Sequence, residues 1–251
     1  GANSVIEMLK LKYQNKDFQL DKTGCKLVEI MNCNFEADKP FLLRPKNEDY
    51  IRREIDWYMS QSLNVNDMEK PVPKVWKSIA TPLGFVNSNY GNIVFSEDNY
   101  DQYEMALNAM CSDIHTRRSI MIYTRPSMHY DYNYSGMNDF TCTNTVQYLY
   151  RDGLIHALVN MRSNDAVFGY PNDRAWQEYV LDKFVKDVQD RYSPAKIEKG
   201  SILWNSASMH VYEHHFDLLE KLLCQRKPYT IQLVKEILLI ELVGQGYGLI
   251  Y

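Results

Sequence analysis

Apolar and polar residues alternate along "DFQLDKTGCKLVEIMNCNFEA" (17–37), interrupted at Thr23-Gly24. This pattern predicts a strand, a turn and a second strand. The period then changes. In "NEDYIRREIDWYMSQSL" (47–63), Tyr50, Ile51, Ile55 and Tyr58 approximate helical spacing, with Asn47 as N-cap and acidic residues in the first turn. "NVNDMEKPVPKVWKSIATPLG" (64–84) carries three prolines and reads as loop around a short helical piece at Val75-Trp76. "DNYDQYEMALNAMCSD" (98–113) predicts a helix and "RRSIMIYTR" (117–125) a strand. "DFTCTNTVQYLYRDGLIHALVNMRSND" (139–165) has two alternating runs around Arg151-Asp152-Gly153, the pattern of a β-hairpin. A long helix is expected over "NDRAWQEYVLDKFVKDVQDRY" (172–192). "GSILWNSASMHVYEHHF" (200–216) reads as a strand leading into a helix over 213–223. The tail "TIQLVKEILLIELVGQGYGLIY" (230–251) mixes both periods and carries no assignment. Without repeat, low-complexity run or linker, residues 1–251 read as a single α+β domain.

Composition narrows the function classes. The hydrophobic fraction of 45% supports a sizeable core, and a net charge of −4 gives no reason to expect nucleic-acid binding. Any anionic ligand must therefore meet a local cluster of cations. The five cysteines (25, 33, 111, 142 and 224) are odd in number and include no Cys-x-x-Cys pair, which argues against a disulfide framework and a zinc site. No apolar leader and no run of membrane-spanning length occur, so the expectation is a reduced cytoplasmic protein without membrane contact.

The candidate chemistry gathers around the predicted hairpin. Cys142 shares strand parity with Phe140, Asn144 and Val146. A lone cysteine is more often an inert core residue. As a nucleophile it needs a nearby cation to favour the thiolate. If the Arg-Asp-Gly turn closes the hairpin, Arg162 falls on the strand beside Cys142. Arg117-Arg118 before one strand and Arg162-Ser163 after another offer guanidinium and hydroxyl groups suited to a phosphate. His210 and Tyr212 share a strand face, and with His214 and His215 form a cluster. No His-Glu-x-x-His pattern accompanies it, so no metal is expected and the histidines read as structural or sugar-binding.

These segments, in this order, resemble the thymidylate synthase superfamily, and within it most closely the phage deoxycytidylate (dCMP) hydroxymethylases. The resemblance runs from about Asp17 to Phe216 through "DKTG", "REIDWY", "SNYG", "SEDNYDQY", "RRSIMIYTRPSM", "DFTCTNTVQYL", "VNMRSNDAVFGYPNDRAWQEYVLDK" and "GSILWNSASMHVYEHHF". It implies a large mixed sheet flanked by helices, with the sheet packing at a homodimer interface. It further implies that Cys142 adds to carbon 6 of a pyrimidine and that Glu54 organises water and proton transfers near the ring. Arg162 and Ser163 would hold the nucleotide phosphate, joined by Arg117 and Arg118 from the other subunit. Lys22 stands where many synthases have arginine. His210 and Tyr212 would bind the sugar hydroxyl, Asn164 would lie beside the ring, and Asp165, Trp76 and Tyr90 would line the pocket of the cosubstrate, 5,10-methylenetetrahydrofolate.

Asp173 departs from the thymidylate synthases, which carry asparagine at the matching position. An amide suits uracil. A carboxylate accepts from the cytosine amino group and favours a proton on ring nitrogen 3. The resemblance therefore implies dCMP over dUMP, with 5-hydroxymethyl-dCMP as product. A dCMP 5-methyltransferase, with hydride in place of water, stays open, as does a non-catalytic homologue within a nucleotide-synthesis complex. Asp173 also reads as an N-cap for the helix around Trp176.

Overall fold

A seven-stranded mixed sheet organises the chain in the computed structural model, which describes residues 1–192 and 196–224. The elements follow in the order α1 (Ala2–Gln14), β1 (Gln19–Leu20), β2 (Lys26–Glu36), α2 (Glu48–Met59), α3 (Lys74–Ile79), α4 (Tyr90–Phe95), α5 (Gln102–Ser112), β3 (Ile120–Ile122), α6 (Met128–Asp131), β4 (Thr143–Arg151), β5 (Leu154–Met161), β6 (Asn164–Asp165), α7 (Gly169–Tyr192), β7 (Glu198–Tyr212) and α8 (Phe216–Cys224). The strands lie in the order β1-β2-β7-β5-β4-β3, with β6 also pairing β7. The unassigned tail lies outside the described residues.

The hairpin forms where the sequence placed it. Asp152 and Gly153 both take positive φ, 52° and 83°, as a two-residue turn demands. Asn47 caps α2, its side chain accepting from Tyr50 N at 3.1 Å. Buried Trp176, Val180, Leu181, Phe184 and Val188 form one stripe along α7. That stripe packs on the sheet, with the Phe184 ring stacked on Tyr148 of β4 at 4.4 Å.

Helices α4 and α6 were not assigned from the sequence, and three further features differ from expectation. No helix was expected at 2–14, although Ala2, Val5 and Leu9 mark its buried side. Helix α7 begins at Gly169, three residues before its expected start, with Pro171 in the first turn, where no intrahelical N–H bond is lost. Asp173 therefore lies inside the helix and is not its N-cap. Ahead of the helix, the Asp165 carboxylate accepts from the backbone N–H groups of Val167 (3.2 Å), Phe168 (2.8 Å) and Gly169 (3.3 Å). Finally, β4 is bulged. Thr143 pairs with Met161 and Thr145 with Asn160, so Asn144 is an extra residue and the alternation is broken there. Cys142 consequently does not share simple parity with Val146, which faces the core.

Strands β5 and β7 run parallel, joined through β6 and α7. The carboxyl end of β5 and the first turns of α7 therefore meet at one edge, the position that strand–helix–strand units use for ligands.

Candidate active site

At that edge the backbone N–H of Arg162 donates to the Cys142 carbonyl at 2.9 Å, continuing the β4–β5 pairing beyond the bulge. The Arg162 side chain folds back along the same segment. Its Nε donates to Thr141 O at 3.0 Å, its Nη2 donates to Phe140 O and stands 3.5 Å from Cys142 Sγ, and its plane covers the Phe140 ring. Nη1 bonds nothing among the described residues. The Cys142 thiol is pushed up to about 11 by burial, drawn down by Arg162, and raised by the carboxyls of Asp173 and Asp139. The free protein thus holds a protonated thiol beside a cation.

The Cys142 segment is moored from two sides. Buried Asp139 accepts from Asn87 N (2.7 Å), Ser88 N (2.8 Å) and Ser88 Oγ (2.6 Å). Thr143 Oγ1 donates to Tyr90 OH at 3.1 Å. Tyr90 in turn stacks on Tyr58 of α2 at 5.3 Å.

Near the thiol lie two carboxyls, buried Glu54 and half-buried Asp173. Asp173 Oδ2 accepts from Asn164 Nδ2 at 2.8 Å, while Asn164 Oδ1 is buried without a partner among the described residues. Gly169 permits this approach, since a Cβ there would stand 3.2 Å from Asn164 Nδ2. Burial holds the Asp173 carboxyl well above the usual carboxylate range, and the charges of Glu54 and Asp165 add to that. Burial raises Glu54 as well, opposed by hydrogen bonds from Tyr50 and Trp76. Tyr50 OH and Trp76 Nε1 (3.0 Å) both donate to the same atom, Glu54 Oε1. A site that brings Cys142, Arg162, Asp173 and Glu54 together can add a thiolate to an electron-poor ring and move protons at its edge.

The remaining expected residues divide. Asp165 of β6 pairs with His210 of β7, and the His210 ring meets Tyr212 at 4.9 Å. Burial holds His210 below its usual value, and hence neutral, while Ser208 Oγ reaches its Nδ1 at 3.2 Å. Half-buried Ser163 lies between β5 and β6, next to Arg162. Trp76 and Tyr90 are buried, their polar atoms directed to Glu54 and Thr143. Lys22 is exposed on the β1–β2 turn, with no hydrogen bond to this group among the described residues. Arg117 and Arg118 are not brought in either. Both are exposed, and Gln147 Nε2 donates to Arg117 O at 2.8 Å. About 16 Å of strand separates Gln147 from Cys142. His214 and His215 make ring contacts with Tyr212 and Phe168.

Sequence reasoning passed over Tyr50, Asp139 and Ser208. Tyr50 was within reach, since it precedes Glu54 by one helical turn.

A family model described as thymidylate synthase matches residues 7–238. The chain belongs to the thymidylate synthase family. Within it, the deoxycytidylate 5-hydroxymethyltransferases of Enterobacteria phages T4 and T6 are each 53% identical to the chain over 212 residues, covering 84% of it and 86% of their own length. Thymidylate synthase 1 of Bacillus subtilis (strain 168) is 25% identical over 175 residues, 67% of this chain and 58% of its own. This member of the thymidylate synthase family therefore shares more of its sequence with the phage hydroxymethyltransferases than with that synthase.

Proposed function

We propose that this chain is a deoxycytidylate 5-hydroxymethyltransferase, which converts dCMP, 5,10-methylenetetrahydrofolate and water into 5-hydroxymethyl-dCMP and tetrahydrofolate. The observation that carries the reading is the pairing of half-buried Asp173 with buried Asn164. A carboxyl held far above its usual range shares a proton readily with cytosine nitrogen 3 and accepts from the amino group. The unpartnered Asn164 Oδ1 supplies a second acceptor for that amino group. Likeness to the phage hydroxymethyltransferases supports the same base and product.

In this reading Cys142 Sγ bonds to carbon 6 once its proton leaves, and Arg162 favours the thiolate. Electron density moves to carbon 5, which bonds to the one-carbon unit; loss of the carbon 5 proton then breaks the bond to the folate nitrogen, releasing tetrahydrofolate and leaving an exocyclic methylene. Glu54 holds the water whose oxygen joins the exocyclic methylene, and Cys142 is then expelled. Arg162 Nη1 and Ser163 take the phosphate, with Lys22 nearby, and His210 and Tyr212 take the sugar hydroxyl. Asp165, Trp76 and Tyr90 wall the folate pocket, an aromatic lining that suits a pterin ring.

Arg117 and Arg118 act across a homodimer. The sheet supports this, because cross-strand partners share a face and Ile120, Gln147, Leu158 and Leu203 pair in one row. Ile120 and Leu203 in that row are 38% and 42% exposed. Two sheets packed through this face would cover it.

The test is mass spectrometry of the nucleotide after incubation with dCMP and methylenetetrahydrofolate. A hydroxymethyl gain with tetrahydrofolate released is expected. A methyl gain with dihydrofolate formed would overturn the hydration step, and no product would overturn the enzyme reading.

A further inference from the structure

Glu54 is a buried carboxyl with no ion pair among the described residues. The titratable groups facing it are Tyr50 and Tyr58 from its own helix and Asp173 from α7, none of them a cation. Trp76 of α3 adds only a neutral donor. Tyr50 OH and Trp76 Nε1 converge on Oε1, and Trp76 Nε1 also lies 3.0 Å from Tyr50 OH, closing a three-membered cluster. Oε2 takes no hydrogen bond among the described residues. The Tyr50 guanidinium neighbour Arg53 covers its ring at 5.7 Å, but donates to Asp49 and to the Glu69 and Pro71 carbonyls instead of Glu54.

We propose that Tyr50 is the positioning residue of Glu54: its hydroxyl, working with the Trp76 indole, fixes Oε1 and turns Oε2 toward the reacting ring and its water. This deepens the proposed function and rests on it for the identity of the substrate. The chemistry follows from the asymmetry of the cluster. A carboxylate with both donors on one oxygen has its other oxygen's lone pairs free in a fixed direction. A buried carboxylate without a counter-charge depends on such donors to ionise at all. Burial keeps Tyr50 itself protonated, and so a donor throughout the working pH range.

The experiment compares wild type with Tyr50→Phe, following tritium release from carbon 5 of dCMP against pH. A hydrogen bond to a charged group is worth enough to move the limb by about one to two pH units. The expected result is an acidic limb displaced upward by that amount, with the plateau rate falling less. Replacement of Tyr50 by 3-fluorotyrosine keeps the ring and hydroxyl and makes a stronger donor, so it should displace the limb downward. An acidic limb that stays in place in either protein overturns the proposal, and the fluorinated protein supplies the test if Tyr50→Phe fails to fold. Infrared titration of isotope-labelled Glu54 needs no turnover. If wild type made no hydroxymethylated product, yet Tyr50→Phe raised the Glu54 titration, the substrate assignment would fail while the positioning role stood.

Discussion

Replacing Asp173 with asparagine should produce three effects of different sign. The first is on base choice. An amide presents its NH2 group to the cytosine amino group, or leaves ring nitrogen 3 without a shared proton. One mismatched buried polar group costs about 1–3 kcal/mol, roughly a five- to 150-fold loss in kcat/KM for dCMP. The same amide suits uracil, so activity with dUMP should rise. The second effect is on the nucleophile. Asp173 raises the Cys142 thiol, so its neutralisation lowers that thiol from about 11 and speeds alkylation by iodoacetamide at pH 8. The third is on stability. The folded pKa of Asp173 lies above its unfolded value, so its contribution is fully present below the unfolded value and lost as pH rises through the folded one. Asparagine has no proton to lose. The gain in Tm over wild type should therefore be near zero at pH 4 and reach a few degrees at pH 7. Steady-state kinetics with both nucleotides, alkylation rates and thermal scans measure the three separately. An unchanged dCMP to dUMP preference would refute the base-reading role. Slower alkylation would refute the electrostatic account of the thiol.

Two further substitutions probe the frame around the site. Arg162→Gln removes the charge and the planar fork that joins Phe140 O, Thr141 O and the thiol, and because Arg162 is exposed the electrostatic part is about 1 kcal/mol. Cys142 alkylation at pH 8 should slow about fivefold, and an unaltered rate would show that the guanidinium does not act on the sulfur. Phe184→Ala empties a fully buried ring site stacked on Tyr148 and should cost about 3–5 kcal/mol, lowering Tm by roughly 10 °C in a thermal scan. A fall of less than 2 °C would mean that the α7–sheet contact is not the core of the domain.

Much of this frame was legible in the residues themselves. The Arg-Asp-Gly turn and its flanking alternation placed Arg162 beside Cys142, because hairpin pairing is local and follows from the turn. Asn47 announced α2 by capping chemistry alone. What stayed hidden depends on choices between equivalent local signals. Asp165 and Asp173 are both short acidic residues near the start of a helix, and only the fold decides that the first bonds the backbone N–H groups ahead of it and the second lies within it. Gly169 and Pro171 look like helix breakers, yet the first turn tolerates both. The polar run Thr143-Asn144-Thr145 has no apolar alternation to reveal the bulge. Arg117 and Arg118 sit toward the far end of β4 from the thiol, a separation that only the strand pairing reveals.

The extra residue at Asn144 also bears on folding fidelity. Without it, Asn144 would pair with Met161 and Thr143 with Arg162, extending the hairpin by one more regular rung. Such a register would keep nearly all of the β4–β5 pairing and the core stripe of α7. It would shift Cys142 about 3.3 Å along the strand and turn its side chain to the opposite face. The competing register would therefore keep most of the sheet while moving the Cys142 thiol away from Arg162. The two anchors flanking the bulge, Asp139 on Asn87-Ser88 and Thr143 on Tyr90, favour the bulged register, in which both sets of hydrogen bonds form.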